Sequence, residues 1–237
     1  MKDKMTFWEH IDELRSRMIY CLASLAVVTI IAYFFSDKIF NFINQPIYDL
    51  KNSNFKQIFS TLTGPFLIYL SISIFTGLFF SFPIITYNIL RFIYPAIKRK
   101  NLMVIFYVLA CCVVLFSIGA YFAYSLLVPI SLSFLISFNN NFNDIEQLVS
   151  VNDYTSFVVI IIFSTGLLFQ LPILAFFLSK LNLISPELLS GKRRYAVLSS
   201  FILAAFITPP DIISQLILAI PIILLYEVCI IITRLSK

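Results

Sequence analysis

Few side chains in this sequence have the type and setting that catalysis requires. The single histidine, His10, has no metal-ligand or catalytic-triad partner in the sequence, and the five glycines form no phosphate-binding loop. The four cysteines lie inside apolar runs, without the spacing of a zinc site or a disulfide framework; they are Cys21, Cys111, Cys112 and Cys229. The sequence therefore predicts a protein that is not an enzyme and uses no metal or cofactor.

The remaining candidates for chemistry are carboxylates in or beside apolar segments. Glu9 and Glu13 lie in the stretch FWEHIDELRSRM, Glu227 lies in a long apolar run, and Asp211 belongs to the motif TPPD. A carboxylate can hold a guanidinium group through two parallel hydrogen bonds. An ionised side chain inside a bilayer costs about 2.5–3.5 kcal/mol on insertion scales, so Glu227 needs a partner or a water-filled face.

The elements that carry these carboxylates belong to a membrane protein. The 237 residues are 60% hydrophobic and only 12% charged, with a mean hydropathy of +0.94. Soluble domains carry about twice that share of charged residues. The chain cannot cover itself with polar surface, so its solvent is largely lipid.

Six apolar segments are predicted to form one six-span membrane domain over residues 1–237. An amphipathic helix over residues 1–17 precedes the first span, with Thr6 and Glu9 at capping-box spacing. The fifth span is short, at about 18 Å for twelve residues, against a hydrocarbon core of roughly 30 Å. The predicted spans are 18–35, 66–89, 102–128, 157–178, 195–207 and 212–232.

The lysines and arginines predict the orientation of these spans. Fourteen of the 17 lie in the two terminal segments and in the second and fourth connections, and three lie in the opposite connections. Basic residues favour the cytoplasmic side, so both termini are predicted to face the cytoplasm, or the stroma in a thylakoid. The fifth segment must then cross the membrane despite its length.

The motif TPPD predicts a tight turn between the fifth and sixth spans. Proline cannot extend the preceding helix, and Pro209 disfavours the α conformation at Thr208. Asp211 can cap the next helix by accepting a hydrogen bond from the N–H of Ile213 or Ser214. In the fourth connection, Ser185 is predicted to be an N-cap with proline at the first helical position.

Four stretches resemble the TatC family, the multispanning subunit of the twin-arginine (Sec-independent) protein translocase. The resemblance implies a glove-shaped, all-α bundle of six transmembrane helices that recognises twin-arginine signal peptides. It also implies export of folded proteins driven by the proton-motive force. The stretches are FWEHIDELRSRM (7–18), FSFPIITYNILRFIYPAI (80–97), ISPELLSGKRRYAV (184–197) and TPPDIISQLILAIPIILLYE (208–227).

The sequence departs from the family pattern at two positions. Phe92 and Pro95 match an F-x-x-P element, but the glutamate that usually follows it is replaced by Asn101. A glutamate that often precedes the proline of the fourth span is replaced by Gln170. The first change removes an expected acidic group from the signal-peptide site, and the second leaves a neutral polar group in the membrane interior.

The resemblance assigns signal-peptide binding to Glu13 together with Arg17 and the adjoining loop residues Phe92, Pro95 and Asn101. Because Asn101 replaces the loop glutamate, Glu9 or Asp12 is expected to help Glu13. Glu13 can also pair with Arg17 at i, i+4, and Arg17 is expected mainly to position the helix. The alternative is an ordinary interfacial helix. A second group of polar residues is expected to meet partner helices or line a concave face: Gln170, Thr208, Asp211, Gln215 and Glu227.

For Thr208 and Gln215, the alternative is that both side chains only satisfy the turn. For Glu227, the expected partner is Gln170, and the alternative is that its carboxylate reaches the cytoplasmic interface near Arg234.

The implied partners are single-span TatA-type and TatB-type membrane proteins, twin-arginine signal peptides, the lipid bilayer and further copies of the chain, but no nucleic acid. The membrane is predicted to be a bacterial inner membrane, a thylakoid or a mitochondrial inner membrane. The competing hypothesis is an ion-coupled small-molecule transporter, since proline-broken spans with polar groups also suit that class. Against it, the sequence has no internal repeat.

Overall fold

The computed structural model describes residues 7–49, 55–93, 102–139 and 147–236. Helix α1 (Phe7–Phe34) pairs along its length with α3 (Gly64–Ile93). From Phe7 onward, the N-terminal amphipathic stretch is continuous with the first span. Thr6, the predicted partner of Glu9 in a capping box, lies outside the described residues. Helices α1 and α3 lie close together at Gly77, where an added Cβ atom would overlap the side chain of Thr29.

The connection from α1 to α3 contains structure that the sequence did not reveal. Helix α2 (Ser36–Asp49) is amphipathic, and it buries Ile43 and Ile47 against the bundle. Strand β1 (Phe55–Ile58) follows and pairs in parallel with β2 (Gln147–Ser150). These elements form a cap, made of α2, β1 and β2, over the end of the bundle predicted to face away from the cytoplasm.

The third apolar segment forms one long helical rod that extends beyond its predicted end. It comprises α4 (Leu102–Phe122), a π-helical turn (Ala123–Leu127) and α5 (Val128–Asn139). Pro129 has no N–H group for the carbonyl of Ser125, so the regular i to i−4 hydrogen bonding cannot continue at this point. The turn widens instead, and the Val128 N–H donates to the carbonyl of Ala123.

The fourth apolar segment is broken into α6 (Val151–Leu168) and α7 (Leu171–Lys180). The break falls at Phe169 and Gln170, just before Pro172, because a proline interrupts the backbone hydrogen bonds of a helix. A short helix α8 (Pro186–Gly191) follows, and the N–H of Leu188 donates to Ser185 Oγ at 3.2 Å. The predicted N-cap at Ser185 is therefore confirmed.

Helices α9 (Arg193–Ile207) and α10 (Ile212–Ser236) form a hairpin joined by the TPPD turn. Within the described residues, five stretches are long and apolar enough to cross a membrane. Helix α9 is not among them, because its 15 residues span only about 22 Å. The five stretches are Ile11–Phe34, Gly64–Phe92, Phe106–Ser137, Val151–Lys180 and Ile212–Leu235.

The apolar core lies where α3, the π-helical turn, α6 and α10 meet, close to the cap. Its fully buried side chains include Ile72, Leu127, Val158, Ile161 and Leu218. Helix α1 packs mainly on α3 and contributes little to this core. The bundle therefore consists of a compact group of helices to which α1 is attached mainly through α3.

Candidate functional site

Glu13 and Arg17 form an ion pair on one face of α1, as the i, i+4 spacing predicted. Arg17 Nε donates to Glu13 Oε1 at 3.0 Å, and Arg17 Nη2 contacts the same oxygen. The two side chains are only 15% and 19% exposed for Arg17 and Glu13 respectively. The carboxylate therefore lies in a sheltered position and already holds a guanidinium group.

The end of α3 lies beside this pair. Arg17 Nη1 approaches the backbone carbonyl oxygen of Asn88 at 3.5 Å. Phe92 follows one turn later on α3 and is half-buried, while Glu9 lies one turn before Glu13 on α1 and is exposed. The structure thus places four predicted site residues at one end of the α1–α3 pair. Pro95 and Asn101 lie outside the described residues.

Gln170 connects the break in the fourth segment to α4. Its Nε2 donates to the carbonyl oxygen of Cys112 at 3.1 Å. The bond gives the side-chain amide of Gln170 a partner on a neighbouring helix, and polar side chains between membrane helices commonly bond in this way. The predicted association of Gln170 with Glu227 is wrong, because the carboxylate of Glu227 is paired elsewhere.

Glu227 makes a two-pronged ion pair with Arg193. Arg193 Nε donates to Glu227 Oε1 at 2.8 Å, and Nη2 donates to Oε2 at 3.0 Å. Both side chains are about half exposed, at 52% for Arg193 and 44% for Glu227. On the preceding residue, the Tyr226 hydroxyl donates to the carbonyl of Leu189 at 2.7 Å, which ties α10 to α8.

Arg193 is a functional candidate that the sequence analysis treated only as part of a basic topology signal. Its pairing with Glu227 could have been predicted from the equal spacing of the two residues about the turn of an antiparallel helical hairpin. Arg193 and Glu227 lie the same number of residues before and after Pro210, so a tight turn at TPPD brings them opposite each other. The alternative for Glu227, that its carboxylate reaches the cytoplasmic interface near Arg234, stays a prediction.

The TPPD turn has the predicted local geometry. Thr208 is extended, with φ −92° and ψ 157°, and ends α9. The Ser214 N–H donates to Asp211 Oδ2 at 2.6 Å, so the predicted cap at Asp211 is confirmed. The buried hydroxyl of Ser131 on α5 donates to Ser214 Oγ at 2.9 Å and fixes the turn against the rest of the bundle.

Thr208 and Gln215 were expected to present an exposed polar surface to partner helices, and this surface is only partly present. Thr208 is 6% exposed, and its hydroxyl donates to the carbonyl of Ala204 at 2.9 Å, so the prediction that it is exposed is wrong. Gln215 is half-buried, and its Nε2 donates to the carbonyl of Phe201 at 3.1 Å. Of the two residues, Gln215 is the one that another helix can reach.

Comparison with known proteins gives consistent matches. The family model described as "TatC: Sec-independent protein translocase protein (TatC)" matches residues 9–221. A Sec-independent protein translocase protein TatC of Carboxydothermus hydrogenoformans is 36% identical over all of this chain and 96% of its own length. The corresponding protein of Aquifex aeolicus is 33% identical over 98% of this chain and 96% of its own length.

A solved structure also resembles this chain in both fold and sequence. The crystal structure of a twin-arginine translocase receptor, TatC, superimposes with a TM-score of 0.83 at 32% sequence identity. The match covers 96% of this chain and 99% of that one. The bundle, the cap and the short hairpin therefore belong to a fold already seen in an experimental structure.

Proposed function

This chain belongs to the Sec-independent protein translocase TatC family, and from that premise we propose that it is the receptor subunit of a twin-arginine translocase. In this role it recognises twin-arginine signal peptides and supports the export of folded proteins, driven by the proton-motive force. It forms a single domain with six crossings of a bacterial inner membrane and has both termini in the cytoplasm. The relatives described above are bacterial proteins, and no similarity favours the ion-coupled transporter.

The observation that carries this proposal is the guanidinium already bound to Glu13. A sheltered carboxylate on α1 that accepts from a guanidinium offers the chemistry that a signal arginine requires. The exposed carboxylate of Glu9 adds negative charge one turn away, and Phe92 supplies an apolar surface on α3. Since Asn101 cannot supply the charge of the usual loop glutamate, Glu13 carries more of the recognition.

The experiment is site-specific crosslinking of a twin-arginine precursor to the chain in native membranes. We expect Glu13→Ala to lower crosslinking at least severalfold without lowering the amount of protein. Glu187→Ala, which removes an exposed carboxylate from the first turn of α8, is the matched control. Asn101→Glu should preserve or strengthen crosslinking. Unchanged crosslinking with Glu13→Ala would exclude the proposed role of this carboxylate.

We further propose that the α9–α10 hairpin receives single-span partners of the TatA and TatB types, and that copies of the chain assemble within a larger complex. The short α9 favours a locally thin bilayer, and Gln215 offers a polar group that a partner helix can reach. A hydrogen bond between membrane helices contributes about 0.6–2 kcal/mol. Gln215→Leu should therefore reduce co-purification of the partner in mild detergent, whereas the buried Thr208→Val should not. Equal effects would refute this assignment.

A further inference from the structure

Arg17 occupies the carboxylate of Glu13 that an incoming arginine would need. Two donors of its guanidinium, Nε and Nη2, both contact the single oxygen Oε1, and hydrogen bonds between ionised groups of this kind are among the stronger ones. Glutamate four residues before a basic residue is also the favourable order of an ion pair on a helix. A signal arginine cannot take the same position on Oε1 while Arg17 occupies it.

We propose that Arg17 is a resident competitor for the signal-peptide arginine, so that binding proceeds by exchange of one guanidinium for another at Glu13. This inference rests on the proposed function and adds to it a residue that sets the strength and selectivity of recognition. In the empty protein, Arg17 shields a carboxylate that would be costly to leave unpaired in a sheltered site. During exchange the carboxylate remains paired, because one cation replaces another.

A second contact gives Arg17 a position to occupy after the exchange. Its Nη1 already lies 3.5 Å from the carbonyl oxygen of Asn88 on α3. The side chain can keep its guanidinium near this carbonyl and the aqueous face while it releases Glu13. Arg17 therefore keeps a hydrogen-bond acceptor after it releases Glu13. It can return to Glu13 when the signal peptide dissociates.

Competition also provides a basis for discrimination between arginine and lysine. A lysine ammonium is a point charge that cannot reproduce the planar, two-donor contact that Arg17 makes. To displace Arg17, a ligand must offer at least as good a contact, which a second guanidinium does and an ammonium does not. Removing Arg17 should thus strengthen the binding of both ligands and reduce the preference between them.

The test measures binding of a synthetic twin-arginine signal peptide and of its twin-lysine version to the purified full-length chain in detergent. We expect Arg17→Gln to bind the twin-arginine peptide about three- to tenfold more tightly than wild type, and to gain more for the twin-lysine peptide. Arg91→Gln is the charge-matched control, since it removes one positive charge from the last turn of α3. Its gain should be smaller than that of Arg17→Gln.

A double variant separates competition from a general structural effect. In the Glu13→Gln background, Arg17→Gln should no longer strengthen binding, because no carboxylate remains to compete for. Arg17→Lys, which keeps the charge and loses the two-donor contact, should lie between wild type and Arg17→Gln. Equal or weaker binding by both Arg17 variants relative to Arg91→Gln would overturn the competition. If the wild type binds the twin-arginine and twin-lysine peptides equally and Glu13→Gln leaves that binding unchanged, the proposed function itself is refuted.

Discussion

Gly77 is the residue at which a single added carbon should most disturb the α1–α3 pair. A Cβ atom at this position would overlap Thr29 Oγ1 and would lie 3.1 Å from both Thr29 Cα and Cβ. The hydroxyl can rotate away, but the other two atoms cannot, so the helices must separate by a few tenths of an ångström. Overpacking of this kind costs about 1–3 kcal/mol.

Gly191→Ala provides the matched control for Gly77→Ala. Alanine favours the interior of a helix over glycine by about 1 kcal/mol, which applies to Gly77 within α3. Gly191 is the last residue of α8, where this gain is smaller, and a Cβ there meets nothing within 4 Å. Since helix propensity favours Gly77→Ala more than Gly191→Ala, a lower stability of Gly77→Ala reports the contact with Thr29. We expect Gly77→Ala to have the lower thermal unfolding midpoint by several degrees in detergent, since about 1 kcal/mol shifts the midpoint of a chain of this size by roughly 2–4 °C.

The packing explanation also predicts a partial rescue. Thr29→Ala removes the nearest atom but leaves Cα and Cβ in place, so the Gly77→Ala, Thr29→Ala double variant should recover part of the lost stability. Because Glu13 and Asn88 lie on the same two helices, Gly77→Ala should also weaken signal-peptide binding. Equal unfolding midpoints for Gly77→Ala and Gly191→Ala would refute the reasoning.

Three further outcomes can be measured directly. The half-exposed pair of Arg193 and Glu227 should contribute only about 0.5–1 kcal/mol to the free energy of unfolding, and exchanging the two residues should restore most of what either single alanine variant loses. Tyr124→Phe removes the hydroxyl that donates at 2.7 Å to a backbone carbonyl of α2, so the cap should exchange its amide hydrogens faster at a cost of about 1 kcal/mol. In intact cells, an impermeant thiol reagent should label a cysteine placed at Asn141 but not one at Asn101, and the reverse pattern would contradict the predicted orientation.

The sequence predicted those features that depend on neighbours in the chain. The TPPD turn, the cap at Asp211 and the pairing of Glu13 with Arg17 each follow from short-range rules, and the structure confirms all three. The positions of the apolar helices also follow from hydrophobicity alone, although that signal does not define where a helix ends.

The features that the sequence did not predict depend on residues that are distant in the chain, or on which of several possible partners a polar side chain bonds to. Strands of four residues have too little periodicity to be recognised, and β1 finds its partner far along the chain. The Thr208 hydroxyl could have faced a partner, but it instead satisfies the carbonyl four residues earlier. Gln170 likewise bonds to α4, a contact that no local pattern specifies.

Helix α2 is a different case, because its signal was present in the sequence. Ile39, Ile43 and Ile47 recur every four residues and mark one apolar face of a helix. The segment is too short and too polar to be a span, so hydrophobicity alone does not identify it. Its amphipathic spacing does.

The pairing of β1 with β2 has a consequence for the order in which the protein is made. Phe55 lies opposite Gln147, so the two strands meet only after the whole long rod of α4, the π-helical turn and α5 has been synthesised and inserted. Closing so large a loop is entropically costly and slow compared with forming neighbouring helices. The cap therefore closes late in biogenesis, and a nascent chain released before residue 150 would expose an unpaired β1 to proteases.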